Sequence, residues 1–182
     1  MSEYYMPEDV DPDDLGGFIR LAPGTYHVSV LGIDEDEGKG KLIVQFEVLE
    51  GTNKDMIGNT HKEWITTNTK PGNVKKVISL ALALGLTTLD ALRTAKANDE
   101  YFAIDWAAGQ GRTCVIEIEE DEGQDGKLRS KIPYWNIYHV DSKEAKGVPL
   151  RKEAIGGWDT GDDPFAGASK EPNLADDADP FA

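Results

Sequence analysis

The chain has 182 residues, 39% of them apolar, a single cysteine and a formal net charge of −15. That length holds one domain with appendages, or at most two small ones. A lone Cys114 excludes an intrachain disulfide, and no apolar run is long enough for a signal-type segment or a bilayer span. The expectation is a protein of a reducing, cytoplasmic compartment with no membrane partner.

The acid is unevenly placed. Residues 1–17 hold six acidic residues and no basic one, and residues 153–182 hold eight acidic residues and one lysine. The middle, 18–152, keeps 20 acidic and 18 basic residues, so it is close to neutral. Charge patterning of this kind predicts solvated acidic tails around one folded domain.

In chain order, residues 1–17 carry Met6-Pro7, Asp11-Pro12 and Gly16-Gly17 among acids and read as a disordered arm. Gly24 to Asp34 reads as a first strand, with Tyr26, Val28 and Val30 alternating with His27 and Ser29. An acidic loop, Asp34 to Gly38, leads to a second strand from Lys41 to Glu50. It sets Leu42, Val44, Phe46 and Val48 against Gln45 and Glu47. A third strand near Asn59 to Thr67 puts Lys62, Trp64 and Thr66 on one face and His61, Glu63 and Ile65 on the other.

Pro71 to Asn98 is the one helical block. Asn73 is the expected N-cap, Val74, Val77, Ile78, Leu80, Leu82 and Leu84 recur at helical spacing, and Gly85 is the expected stop. A second short helix is expected from Thr87 or Thr88 to Asn98. Tyr101, Phe102, Ile104 and Trp106 lead to a fourth strand opened by Gly111, where Cys114, Ile116 and Ile118 alternate with Val115, Glu117 and Glu119. After the turn at Asp121 to Gly126, Lys127 to Val140 reads as one long fifth strand, with Tyr134 and Tyr138 on the core face and Trp135 on the other. Beyond Asp141 the apolar pattern fades. Three strands, a helical block and two strands is the order of an OB-type barrel. The predicted fold is therefore mainly β: a five-stranded OB-type barrel over 18–152, with a helical insert between strands 3 and 4 and disordered acidic tails at 1–17 and 153–182.

The tail contains a repeat: Asp163-Pro164-Phe165-Ala166 recurs as Asp179-Pro180-Phe181-Ala182. An aromatic ring among carboxylates suits a partner pocket that is apolar inside and basic at its rim, and proline limits the freedom lost on docking. This acidic Pro-Phe end resembles the tip of bacterial and phage single-stranded-DNA-binding proteins. The body resembles the OB domains of the phage-encoded members, through Gly24-Thr25-Tyr26, Gly40-Lys41-Leu42, and Gly58 followed by Trp64. Ala182 departs from the family, whose tip ends on the Phe.

The resemblance implies a non-catalytic protein that protects single-stranded DNA during replication, recombination and repair, in a bacterial or phage-infected cell. It also implies recruitment of a polymerase, helicase or recombinase through Asp163, Pro164, Phe165, Asp177, Asp179, Pro180 and Phe181, and it is compatible with self-assembly into dimers or tetramers.

Binding single strands without sequence preference needs rings for bases and cations for phosphates. The second and third strands with their flanking loops supply Lys39, Lys41, Lys62, Trp64 and Lys70. The last hairpin adds Lys127, Arg129 and Lys131, with Arg112 and Trp135 alongside. The bland alternative for each Trp is core packing. Two acidic runs, Asp34–Glu37 and Glu117–Glu122, work against phosphate binding.

Catalytic and metal chemistry find no support. His27, His61 and His139 lie on separate strands without ligand spacing. Asp121 to Ile132 lacks the residues of a calcium loop, and Gly38-Lys39-Gly40-Lys41 lacks the spacing of a phosphate-binding loop. No enzyme, cofactor or metal site is expected. A different class of function also fits: a protein-binding adaptor, in which the two Asp-Pro-Phe tetrapeptides are linear motifs and the barrel binds protein.

Overall fold

The computed structural model describes residues 20–68, 70–123 and 126–155. The expected arm 1–17 and all seven proposed partner-binding residues of the tail lie outside the described residues. The strands are β1 (Gly24–Asp36), β2 (Lys41–Gly51), β3 (Thr60–Thr66), β4 (Thr113–Glu122), β5 (Leu128–Lys131) and β6 (Ile137–Tyr138). The helices are α1 (Pro71–Ala83), α2 (Leu89–Ala97) and a terminal turn, α3 (Lys152–Ile155). No helix among the described residues is long and apolar enough to cross a membrane.

The strands form one antiparallel sheet in the order β3-β2-β1-β4-β5, with β6 also pairing to β4. The period-2 pattern of β2 appears directly as burial. Leu42, Val44, Phe46 and Val48 are sealed in the core with Tyr26, Val28, Val30, Ile65, Cys114, Ile116 and Ile118. Two irregularities in the β1–β2 register, at His27/Val28 and Val30/Gly32, let a strand of this length bend over that core.

Helix α1 covers the open side of the core with Leu80, Ala83 and Leu84. It begins at Pro71, not at an Asn73 cap: proline lacks the N–H that a first turn would orphan, and its φ is preset for a helix. Asn73 instead donates from Nδ2 to Asn68 Oδ1. The helix ends as the sequence predicts. Gly85 is left-handed (φ 63°), Leu86 N–H donates to Ala81 O and Gly85 N–H to Leu82 O. Thr88 caps α2 through the N–H of Ala91.

The expected closed five-stranded barrel is not what forms. The sheet is open, and the single fifth strand is two pieces, β5 and β6, laid in turn along β4. Pro133 has no N–H to give to a ladder, and Tyr134 next to it is left-handed (φ 48°), so the pairing breaks after Lys131. Tyr134, expected on the core face, is thereby turned out to water.

A second correction concerns residues 139–151. They fold back over the outer face of β1 and β4, and Val140 and Ala145 bury Val115 there. Alternation alone assigned Val115 to a wet face.

His27 lies under the same segment. Its Nδ1 accepts the Arg151 N–H at 3.0 Å, which leaves the proton on Nε2, and Nε2 has no partner among the described residues. Burial, aided by the Arg151 charge and opposed by Glu50, pushes the His27 pKa from 6.5 down to about 4. The unfolded chain therefore binds this proton more readily, and His27 lowers stability as pH falls from 6.5 toward 4. Denaturant titrations should show the wild type losing on the order of 1–2 kcal/mol more than His27→Gln between pH 8 and pH 5. Equal losses would mean that His27 is not buried neutral.

Candidate nucleic-acid interface

The outer face of β2 and β3 is set by their register. Residues directly opposite in an antiparallel pair share a face, so Ile43 lies beside Trp64, Gln45 beside Lys62 and Lys41 beside Thr66. Of the two faces that the alternation separates, His61, Glu63 and Ile65 turn inward and Trp64 outward. Trp64 is 57% exposed, and the Lys62 ammonium stands 5.8 Å from its ring centroid. The neighbouring strand borders this face with acid, because Asp34 is opposite Ile43 and Asp36 opposite Lys41. Lys39 is drawn to that border, with its Nζ 3.4 Å from Asp36 Oδ2. Such an exposed pair is worth well under ~1 kcal/mol.

A second ring site lies on the break between β5 and β6. Trp135 is 43% exposed and Tyr134 is 77% exposed, with ring centroids 5.9 Å apart in an edge-to-face arrangement. Lys75 of α1, which was not among the sequence candidates, places its Nζ 5.0 Å from the Trp135 centroid. Cation–π contacts at exposed sites contribute about 0.5–1 kcal/mol each. Lys70 precedes the first turn of α1 and is exposed.

The remaining predicted cations are differently placed. In the β4–β5 hairpin, Arg129 is opposite Asp121 and Lys131 opposite Glu119, and Lys131 Nζ lies 2.9 Å from Asp121 Oδ2. Lys127 follows the turn and is exposed. The hairpin is thus a ladder of opposed charges with acid in excess, since Glu120 and Glu122 stand opposite Ser130 and Leu128. Arg112 is turned away from both ring sites: its guanidinium donates to Leu84 O at 2.7 Å and Gly85 O at 3.0 Å, satisfying carbonyls at the end of α1.

Between the two ring sites lies a buried polar cluster. Glu63 accepts from Lys76 Nζ at 2.5 Å through Oε1, and from His61 Nε2 at 3.0 Å through Oε2. Oε2 also takes a longer contact, 3.4 Å, from the Ile132 N–H. Lys76 Nζ in turn donates to Ile132 O at 3.0 Å. Burial pushes the Glu63 carboxyl up, but the hydrogen bond from His61 and the charge and hydrogen bond of Lys76 outweigh it and hold the group below its ordinary value.

Compared with known proteins, the chain matches no family model and no curated protein.

Of the ten residues proposed from sequence, Lys41, Lys62 and Trp64 are brought together on the β2–β3 face, bordered by Lys39. Lys70 and Trp135 belong to the elements around the second ring site. Lys127, Arg129 and Lys131 form the charge ladder, and Arg112 serves the helix end. Sequence reasoning missed Lys75 and the Glu63–Lys76 pair, and it set Tyr134 on the core face. Its only available signals were Pro133, which argues against a continuous strand, and a Lys-Lys pair inside an otherwise apolar helix.

Proposed function

We propose that this protein binds single-stranded DNA without catalysing a reaction. The bases would stack on Trp64 and, further along, on Trp135 and Tyr134. Lys41, Lys62, Lys70 and Lys75 would meet the phosphates. In the same proposal the body is of OB type, a fold that is itself partly open and binds strands across its second and third strands. The acidic tail with its two Asp-Pro-Phe copies would recruit enzymes of replication, recombination or repair in the cytoplasm of a bacterial or phage-infected cell.

The observation that carries the reading is Trp64: a large ring left mostly in water on a strand face, with a cation over it. Tryptophan is normally well buried, and a bare one beside ammonium groups suits a stacked base. Exposed carboxylates at Asp34 and at Glu119–Glu122 favour a second reading, a protein-binding adaptor.

The test is a tryptophan-fluorescence titration with oligo-dT. Quenching should grow with oligonucleotide length, and affinity should fall with salt, with a log–log slope of about −3 for four phosphate contacts. Deleting residues 156–182 should tighten binding, because an acidic tail competes with phosphate. Absence of quenching at low salt, in both the full chain and the shortened one, would leave the adaptor reading.

The two groups of cations should separate in the same assay. Lys62→Ala and Lys75→Ala should each flatten the salt slope by about 0.7. Lys131→Ala, which removes the ammonium 2.9 Å from Asp121 Oδ2, should change the slope by less than about 0.3. Equal slopes for all three variants would place the strand across the hairpin as well.

A further inference from the structure

The sheet has a seam where β3 ends it, and the backbone of Ile132 lies across that seam. Among the described residues no ladder of backbone hydrogen bonds joins the two. Side chains do the joining. Glu63 of β3 takes the Ile132 N–H, and Lys76 of α1 gives to the Ile132 carbonyl, while Glu63 and Lys76 are bonded to each other. Three separate elements meet at this point, and each carries one part of the proposed binding surface on an adjacent position. Trp64 follows Glu63, Lys75 precedes Lys76, and Tyr134 and Trp135 follow Ile132 and Pro133.

We propose that Glu63 is a positioning residue: with Lys76 it fixes the Trp64 face and the Tyr134–Trp135 site in one register, so that a single strand engages both at once. The inference rests on the single-strand reading above. Its physical content is effective concentration. Two weak sites held at a fixed separation bind a strand long enough to span them far better than either alone, and the gain disappears when their separation is free to vary. Each site by itself is untouched by the change, because Glu63 is buried and faces away from Trp64.

The experiment measures affinity of the full chain for oligo-dT from about 4 to about 24 nucleotides, a span that covers the known site sizes of such folds. Wild type should show a steep rise once an oligonucleotide reaches both ring sites. Glu63→Gln should bind the shortest oligonucleotides within about threefold of wild type and lose about tenfold or more of the gain with length. Because Glu63→Gln leaves the Lys76 charge uncompensated, the double variant Glu63→Gln/Lys76→Met is measured beside it. It removes both charges, and it should fold while still lacking the length-dependent gain. Near-ultraviolet circular dichroism on each variant separates loss of fold from loss of register.

A general loss of stability would weaken short and long oligonucleotides alike. A folded variant with the wild-type length dependence would overturn the inference. A wild type that binds no oligonucleotide would instead overturn the single-strand reading on which it rests.

Discussion

Replacing Trp64 with alanine should weaken binding to oligo-dT by roughly 5- to 150-fold, the factor that follows from the loss of one base–aromatic stack of about 1–3 kcal/mol. The fold should survive, since more than half of this side chain is already in water and its strand is held by its inward neighbours His61, Glu63 and Ile65. Two further readouts make the result specific. Trp64 carries no charge, so the salt slope of the variant should equal that of wild type while the whole line shifts down. Trp64→Phe should recover most of the loss, because a benzene ring still offers a face to a base. The same substitution at Trp106, which packs against the core from the segment before β4, should lower stability and leave the affinity of the folded fraction unchanged. An affinity change below about twofold for Trp64→Ala would remove the ring from the site, and with it the main support for single-strand binding.

The largest stability effect is expected at Lys76. Lys76→Ala leaves a buried carboxylate with His61 and the Ile132 N–H as its partners among the described residues, and removes the Lys76 donor from Ile132 O. Breaking a buried ion pair from one side typically costs about 3–5 kcal/mol. The Lys76 side chain keeps some contact with water (17% exposed), so about 3 kcal/mol is the expected loss. For a domain of this size that is a fall in melting temperature of roughly 10 °C.

The pH dependence gives the sign. In wild type the Glu63 pKa is held below its ordinary value, so its contribution is complete above the carboxylate range and is lost as pH falls through the folded value. Without Lys76 part of that lowering is lost, so protonating Glu63 is easier in the variant than in wild type. The gap between wild type and Lys76→Ala should therefore be widest near neutrality and should shrink toward pH 4. A gap that is constant with pH would mean that the loss comes from packing, not from the stranded charge. A double-mutant cycle with Glu63→Ala, in which the second substitution costs much less than the first, would show that the two residues act as a pair.

Strand β2 was legible because its alternation separates a dry face from a wet one, whereas in β3 the same period left open whether Trp64 or Ile65 faces the core. The stop of α1 was legible because Gly85 permits a left-handed residue that others resist. The start of α1 was misplaced, since two signals competed and proline at the first helical position outranked an asparagine two residues on. The fifth strand was misjudged for a related reason. Its apolar content is real, but a missing N–H at Pro133 interrupts pairing whatever the hydropathy. Residues 139–151 looked featureless because Val140, Ala145, Val148 and Leu150 follow neither a strand nor a helix period, and their burial depends on Val115 lying beneath them.

On its own the sequence determined a β-rich middle between acidic ends, with Trp64 and Lys62 sharing one strand face, because side-chain period and local backbone preference act within a few residues. The tertiary structure alone decided that the sheet stays open. It also decided that Lys75 meets Trp135, that the hairpin cations stand opposite acids, and that Glu63 is held by Lys76 and Ile132. Each of these joins residues on different elements, some of them far apart in the chain. Whether a charge is free, paired or buried depends on which elements pack together, and no local pattern carries that.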